Sequence, residues 1–183
     1  MHNPNREVYT NFKPRHEIVE VEPIVAVLIV SNRCFSAMLR GERVPDESGK
    51  LAVDLLRQAH VQCAEPIVIP NDKSIIQGFV RLLHEKFNFN TIITVGGTGP
   101  SPRDQTVDAL KEIADKELPG FGELFRRLSE KELGPHIILT RASAFIYKKC
   151  VIFCLPGSPS AVELALRDII IPTLRHVLSE LHR

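Results

Sequence analysis

The stretch that most constrains the fold is residues 91–106, with the sequence TIITVGGTGPSPRDQT. Its first five residues are uncharged and β-branched, which is typical of a strand buried on both faces of a parallel sheet. Gly96, Gly97 and Gly99 lack a Cβ, so their backbone N–H groups can curl around an anion. We expect Asp104 to cap a helix after this turn, because apolar residues then recur at helical spacing. A strand, a glycine turn and a helix N-terminus together predict a site that faces phosphate.

The acid in this turn points to a metal ion. A glycine-rich turn between a strand and a helix also occurs for packing alone, and two known fingerprints are missing: the lysine of a P-loop and the GxGxxG spacing of dinucleotide folds. However, Asp104 and Arg103 stand directly beside the predicted phosphate cradle. A carboxylate there would repel a phosphate unless a cation lay between them, so we infer a bound Mg²⁺.

The chain before this stretch alternates strands with helices. Ile24–Val30 is an apolar strand, residues 34–47 contain a glycine and a proline and predict a loop, and a helix begins near Ser48. Residues 66–69 supply a second short strand. The next helix should turn six apolar residues toward the core: Ile75, Ile76, Phe79, Val80, Leu82 and Leu83.

This βαβαβ order predicts where a ligand would bind. Parallel strands joined by helical crossovers bind ligands beyond their carboxyl ends. Ser31, Asn71 and Gly96 follow the three strands, so we expect the three loops to converge on one crevice. Either Asn71 or Asp72 can cap the helix that starts there.

The second half of the chain predicts an antiparallel region. Residues 137–139, Ser143–Tyr147 and residues 151–155 resemble short strands, and the last two are separated by a Lys-Lys turn that suits a hairpin. Lys111, Glu112, Lys116 and Glu117 are expected to form the solvated face of a helix.

A second strand-to-helix junction follows the hairpin. The LPGSP sequence of residues 155–159 precedes a long amphipathic helix that Pro172 should kink, and the PGFG sequence of residues 119–122 should break the chain earlier. Ser158 is no hydrolase nucleophile, because Pro159 follows it. The predicted fold class is α/β, a three-layer sandwich around a mostly parallel sheet with one antiparallel hairpin region.

Length and charge limit the organisation and the partners. A chain of 183 residues with 44% hydrophobic content predicts one globular domain. We assign it to residues 23–183 and treat residues 1–22 as an N-terminal tail or an arm laid over a neighbour. The formal net charge of +1 gives no reason to expect nucleic acid or a membrane surface as a partner. The apolar runs are too short to span a bilayer, so we expect a cytoplasmic protein.

Isolated cysteines and histidines carry no site in this sequence. The four cysteines have no CxxC spacing, and Cys150 and Cys154 would lie about 13 Å apart along a strand, too far for a disulfide. Core packing is the expected role of the cysteines. The histidines that fall in predicted helices lack a spaced carboxylate partner, so they are interpreted as surface or packing residues: His60, His84 and His176.

Several motifs, in consistent order, resemble the molybdenum cofactor biosynthesis family of MoaB and Mog type, which includes adenylyltransferase domains of the gephyrin kind. The motifs are GGTGPSPRDQT, LPGFGE (residues 118–123) and LPGSPSAVE (residues 155–163), with PDESG (residues 45–49) and LTR (residues 139–141) in register. The resemblance runs from about residue 24 to residue 181 and excludes the N-terminal tail.

The resemblance implies a molybdopterin adenylyltransferase, in which Mg²⁺ and ATP activate the terminal phosphate of molybdopterin as an adenylate and release pyrophosphate. Asp104 and Asp72 would be catalytic and would bind the metal. Homotrimers or higher oligomers are common in the family, and the molybdenum-insertion protein is a candidate partner. The implied substrate-binding residues are Gly96, Gly97, Thr98, Gly99, Arg103, Thr106, Ser31, Asp46, Ser48, Gly49, Asn71, Pro156, Gly157 and Ser158.

Two departures from the family pattern leave an alternative open. An acid often follows the second strand in the family, whereas this chain has Asn71 followed by Asp72, and Ser31-Asn32-Arg33 replaces an SDR-like triplet. Either Asp72 supplies the negative charge that Asn71 lacks, or this chain binds the metal more weakly than family members that have the acid. The alternative function is therefore a molybdopterin-binding or carrier protein of the same fold that does not activate ATP.

Overall fold

The computed structural model describes residues 19–183, which fold around a sheet of seven strands. The strands are β1 (Ile24–Val30), β2 (Gln62–Cys63), β3 (Ile67–Ile69), β4 (Thr91–Val95), β5 (Lys116–Glu117), β6 (Ser143–Tyr147) and β7 (Cys150–Leu155). The strand order is β2-β1-β4-β7-β6-β5, and β3 also pairs with β1. Strands β1 to β4 and β7 are parallel, whereas β6 runs antiparallel to β7 and to β5. The mostly parallel sheet with a hairpin is thus confirmed.

Helices cover both faces of this sheet, which confirms the three-layer sandwich. The helices are α1 (Asn32–Leu39), α2 (Ser48–Gln58), α3 (Lys73–Phe87), α4 (Thr106–Ile113), α5 (Pro119–Leu133), α6 (Pro159–Leu164) and α7 (Ile171–Leu181). One apolar core lies between the sheet and α2, α5, α6 and α7, and the other lies against α3 and α4.

Strand β4 occupies the middle of the fold. It lies between β1 and β7, and all five of its residues are buried. Ile92 packs into one core and Ile93 into the other, which explains why the strand shows no alternation of apolar and polar residues. The glycine turn that follows β4 is therefore attached to a fully buried strand that is paired on both sides.

The segment after β1 differs from its prediction. Residues 34–47 were expected to form a loop, but α1 occupies the first part of this segment. The Ser31 hydroxyl caps α1 by accepting a hydrogen bond from the Cys34 backbone N–H at 3.2 Å. Cys34 and Ala37, three residues apart, are the buried residues of this short helix. Its two buried positions gave too weak a periodic signal to identify a helix.

Two predictions for residues 111–139 are wrong and a third needs adjustment. Lys116 and Glu117 form β5, which pairs with β6, instead of extending the α4 helix face. A new helix begins at the PGFG sequence, as expected of a break there, but PGFG is itself the first turn of α5, because a proline at the first helical turn loses no intrahelical hydrogen bond. Gly134–Leu139 is a 3₁₀ helix where residues 137–139 were expected to be a strand, and Ile138 is 82% exposed.

Helix α3 buries fewer apolar residues than predicted. Ile76, Val80 and Leu83 are buried, at the spacing of three and four residues that marks one helix face. Ile75 and Leu82 are exposed instead, because they lie off this stripe.

The C-terminal helical stretch is interrupted where Pro172 was expected to kink it. A π-helical segment, Ala165–Ile170, connects α6 to α7, and Pro172 lies in the first turn of α7. A wider turn accommodates a residue that has no N–H to donate and whose ring crowds the preceding carbonyl groups.

The cysteines serve packing, as predicted. All four are free thiols; Cys34, Cys150 and Cys154 are buried and Cys63 is half-buried. Burial raises the pKa of Cys150 and of Cys154 to about 12. His84 contacts the Phe89 carbonyl at 2.9 Å.

Two further assignments need correction or restriction. His60, which was expected in a helix, follows the end of α2 with a φ of 56°. Residues 1–18 of the predicted arm lie outside the described residues. The adjoining residues contact their own domain, since Val19 N–H donates to Ser179 Oγ at 2.9 Å and Glu22 pairs with Arg175. Among residues 19–183, no helix is both long enough and apolar enough to cross a membrane.

Candidate functional site

Three loops meet at the carboxyl ends of the parallel strands, as the strand order predicts. Ser31 follows β1, and its backbone N–H donates to the carbonyl of Ile69, the last residue of β3, at 3.0 Å. The Asn71 N–H donates to Asn32 Oδ1 at 2.8 Å, and the Gln105 N–H donates to Asn71 Oδ1 at 3.2 Å. The loops after β1, β3 and β4 thus form one connected surface.

The glycines after β4 are required by their conformation and surroundings. Gly96 and Gly97 have φ values of 102° and 64°, in the region that favours glycine. A Cβ on Gly96 would lie 2.5 Å from the carbonyl oxygen of Val30, and one on Gly97 would collide with the Thr106 hydroxyl. The turn can therefore follow this path only without side chains at these positions.

The backbone donors of this turn differ partly from the prediction. The Gly96 N–H does not face a ligand, because it donates to the Leu155 carbonyl at 2.9 Å and so continues the β4–β7 ladder. The N–H groups of Gly97, Thr98 and Gly99 have no hydrogen-bond acceptor within the part of the chain that the structure describes. Three consecutive N–H groups of the predicted phosphate-binding set therefore remain as candidate donors to an anion, and only Gly96 drops out.

Asp104 does not cap α4, contrary to the prediction. Its Oδ2 accepts from the Ser101 N–H at 3.2 Å, and its own N–H donates to the Ser101 carbonyl at 2.8 Å, so it closes a turn within the loop. The helix begins two residues later at Thr106, whose hydroxyl donates to the Gly96 carbonyl at 2.8 Å. The half-buried carboxylate instead faces Gly99, where a Cβ would lie 2.6 Å from Oδ2. An acid therefore lies directly beside Gly99, the last of the three residues whose N–H groups have no acceptor among the described residues.

A cleft of about 550 Å³ adjoins the turn on the side of β1 and α2. Asp46 Oδ1 accepts from the Gly49 N–H at 2.8 Å, and the Ser48 hydroxyl donates to the Gly157 carbonyl at 2.7 Å. These bonds connect the start of α2 to the turn after β7. The predicted site residues that line the cleft are Ser31, Asp46, Ser48, Gly96 and Gly157. The cleft is also lined by residues that were not predicted as site residues, including Arg33, Cys34 and Pro45.

Other predicted residues lie apart from the cleft. Asp72 is exposed and caps α3, because its carboxylate accepts from the Ile75 N–H at 3.0 Å. Ser158 caps α6 by accepting from the Ala161 N–H at 3.3 Å. Pro156 is half-buried and Arg103 is exposed on the loop. Within residues 19–183, no group of three or more His, Cys, Asp or Glu side chains is arranged to hold a metal ion.

One cation near the loop had no predicted role. Arg141 binds Asp108 of α4 through two hydrogen bonds of 3.0 and 2.6 Å. These bonds hold the pKa of Asp108 below its ordinary value. The same hydrogen bonds raise the pKa of Arg141 above its ordinary value. Partial burial of the guanidinium opposes this rise, and the negative charges of Asp108 and Asp104 add to it. Arg141 thus lies within electrostatic reach of Asp104; its only sequence signal was the LTR motif.

Comparison with known proteins gives a consistent result. A family model described as a probable molybdopterin binding domain matches residues 26–176. A protein of Methanocaldococcus jannaschii named probable molybdopterin adenylyltransferase is 40% identical over 156 residues, covering 85% of this chain and 92% of the relative. Molybdenum cofactor biosynthesis protein B of Bacillus subtilis is 37% identical over 139 residues, covering 75% of this chain and 82% of the relative. The crystal structure of the tungsten cofactor synthesizing protein MoaB from Pyrococcus furiosus superposes with a TM-score of 0.74 at 33% identity, covering 88% of this chain and 98% of that one.

Proposed function

The chain belongs to the molybdenum cofactor biosynthesis family of MoaB and Mog proteins, and from this premise we propose that it is a molybdopterin adenylyltransferase. A phosphate oxygen of molybdopterin would attack the α-phosphorus of ATP. The bond from that phosphorus to the bridging oxygen would break, and pyrophosphate would leave. The products would be adenylylated molybdopterin and pyrophosphate.

The observation that carries this proposal is the row of open N–H groups at Gly97, Thr98 and Gly99 beside the Asp104 carboxylate. Transfer of a nucleotidyl group requires little covalent help from the protein. It requires that two polyanions be held in line and that charge developing on phosphate oxygens be stabilised. Fixed backbone donors beside a single acid suit this task.

The donor chemistry of the loop fits a magnesium ion. Mg²⁺ prefers oxygen ligands and in nucleotide sites is usually held by one or two carboxylates together with substrate phosphates and water. A larger cluster of acids is therefore not required, and Asp104 would supply the protein ligand. The ion would neutralise phosphate charge that the carboxylate would otherwise repel.

The adjoining cleft would hold the rest of the substrates. Ser31 and Ser48 lie at the N-termini of α1 and α2, where partial positive charge favours anionic groups. Gly157 closes the cleft from the turn after β7 and packs against Gly96, with 3.7 Å between an added Cβ and the Gly96 Cα. Arg33 is the cation among the lining residues. We assign the nucleotide or the pterin to this volume.

A second candidate function rests on Asn71. An uncharged amide stands at the convergence of the loops, and Asp72 uses its carboxylate to cap α3. With only Asp104 beside the glycine turn, the protein would bind molybdopterin and protect or transfer it without activating ATP.

Pyrophosphate release distinguishes the two functions. Under the enzyme proposal, the full-length protein releases pyrophosphate only when ATP, Mg²⁺ and molybdopterin are all present. Omission of any one of them abolishes release. If calorimetry shows tight molybdopterin binding but no heat with ATP and Mg²⁺, and no pyrophosphate appears, the protein is a carrier.

We further propose a homotrimer, in line with the family resemblance. In the 3₁₀ segment Gly134–Leu139, the side chains of Ile138 and Leu139 are 82% and 52% exposed. Contact between subunits would remove this apolar surface from water. Replacing Ile138 by Asp should shift the assembly toward monomers in light scattering at micromolar concentration, whereas Glu130→Asp, at an exposed position of α5, should not. A wild-type monomer would contradict this assignment.

A further inference from the structure

Asn71 binds both residues that flank Asp104 in the chain. Its Nδ2 donates to the Arg103 carbonyl at 2.7 Å, and its Oδ1 accepts from the Gln105 N–H at 3.2 Å. These bonds join positions more than thirty residues apart, from the end of β3 to the loop after β4. The backbone on each side of Asp104 is therefore fixed by a single side chain.

The surroundings of Asn71 fix its own position. Its backbone N–H donates to Asn32 Oδ1 at 2.8 Å, which holds it to the start of α1. Its amide lies against the glycine turn, since a Cβ on Gly97 would be 2.9 Å from Asn71 Oδ1. The side chain thus connects the rigid ends of β1 and β3 to the long loop.

This geometry requires an amide and not a carboxylate. The Arg103 carbonyl is an acceptor and needs a donor, whereas the Gln105 N–H is a donor and needs an acceptor. Asparagine offers one of each. An ionised aspartate has no donor, so it would place a negative oxygen against the Arg103 carbonyl oxygen.

We propose that Asn71 is a positioning residue, whose neutral amide holds the loop of residues 98–105 so that Asp104 and the open N–H groups keep their arrangement, and that it is not a substitute metal ligand. The kinetic consequences rest on the proposed adenylyl transfer. The order of the loop does not depend on it. The apparent replacement of an acid at this position is thus part of how the loop is built.

Asn71→Asp is the decisive variant, and Asn32→Asp is its matched control. Both substitutions add one negative charge at nearly the same place. Among the described residues, the Asn32 side chain serves only as an acceptor for the Asn71 N–H, so an aspartate there keeps the bond. A general effect of charge would appear in both variants, whereas loss of the donor to Arg103 would appear only in Asn71→Asp.

Hydrogen exchange of the substrate-free protein is the first measurement. Peptides covering residues 101–106 should exchange about tenfold faster in Asn71→Asp than in wild type, because a hydrogen bond that closes the loop is lost. Asn32→Asp should stay within about threefold of wild type. Asn71→Leu, which removes the amide without adding charge, should exchange as fast as Asn71→Asp. Unchanged exchange in Asn71→Asp and Asn71→Leu would overturn the proposal.

Pyrophosphate release at saturating ATP and molybdopterin is the second measurement. Asn71→Asp should lower kcat by about tenfold or more, with the Mg²⁺ concentration for half-maximal rate changed far less. A rise in kcat, or a lower Mg²⁺ requirement, would show that an acid at this position is a ligand and would overturn the positioning role. If wild type releases no pyrophosphate, the adenylyltransferase proposal fails, and the exchange data still decide what Asn71 does to the loop.

Discussion

The protein contains two strand-to-helix junctions that begin on neighbouring strands and are built in different ways. After β7, residues 156–158 lead directly into α6. Ser158 caps that helix, because its hydroxyl accepts from the Ala161 N–H. After β4, residues 96–105 intervene before α4, and α4 has no side-chain cap. The short junction is held by its own Ser158 cap and by the Ser48 hydroxyl, which donates to the Gly157 carbonyl at 2.7 Å. The long one depends on Asn71, from another part of the chain.

The two junctions therefore have different roles. The short one holds the fold together, and the long one carries the groups proposed to act on the substrates. The turn after β7 places only three residues between the strand and the helix, so it has little freedom to rearrange. The longer loop leaves the N–H groups of Gly97 to Gly99 without acceptors among the described residues, and presents a carboxylate beside them. Binding groups that remain open must be held in place by contacts elsewhere, and here the Asn71 amide and the Thr106 hydroxyl supply them.

The largest expected effect comes from the acid of the long loop. Asp104→Asn should lower the rate of pyrophosphate release by about 100-fold or more, because the neutral amide is a poor ligand for Mg²⁺. The amide oxygen can still accept from the Ser101 N–H, so the melting temperature and metal-free binding of molybdopterin should change little. Near-normal turnover in this variant would remove the metal role of Asp104.

The two glycine positions should respond unequally to a methyl group. Gly97→Ala combines a φ of 64° with a collision against the Thr106 hydroxyl, and should lower the free energy of unfolding by about 1–3 kcal/mol. Gly157→Ala meets no atom closer than 3.7 Å, and should change it by about 0.5 kcal/mol or less. Urea denaturation of the two variants provides the comparison. Equal losses would show that the long loop is no more constrained than the short turn.

The last expected effect concerns the helix cap after β7. Ser158→Ala should lower the free energy of unfolding by about 1 kcal/mol, because the Ala161 N–H loses its acceptor. Ser158→Asp retains an acceptor at the same position and should recover most of this loss in thermal denaturation. If the Ser158→Ala variant is as stable as the wild type, the cap does not fix the short junction.

The sequence predicted well those features that depend on local pattern. The β-branched run of β4 and the hairpin of β6 and β7 were correct, because burial on both faces leaves a continuous apolar signal. Ser48 as a helix start and Asp72 as one of two candidate caps were also correct. The three-layer arrangement followed from the order of these elements.

The errors fall where distant residues decide the structure. Asp104 is a residue type that often caps helices. However, the Gln105 N–H donates to Asn71 Oδ1, and α4 begins only at Thr106. The Gly96 N–H was expected to face an anion, yet β7 supplies its acceptor. Residues 137–139 are apolar and lack a neighbouring strand to pair with, so they form a 3₁₀ helix. None of these partners can be identified from spacing along the chain.

The most direct test of the proposed function is the detection of adenylylated molybdopterin in a single turnover. Wild-type protein, ATP, Mg²⁺ and molybdopterin would be mixed, quenched and separated, and the pterin product identified by mass spectrometry. We predict one adenylylated molybdopterin for each pyrophosphate released, and neither product when Asp104→Asn replaces the wild type over the same interval. Pterin recovered without an adenylyl group, whether or not ATP is consumed, would contradict the assignment of this chain as an adenylyltransferase.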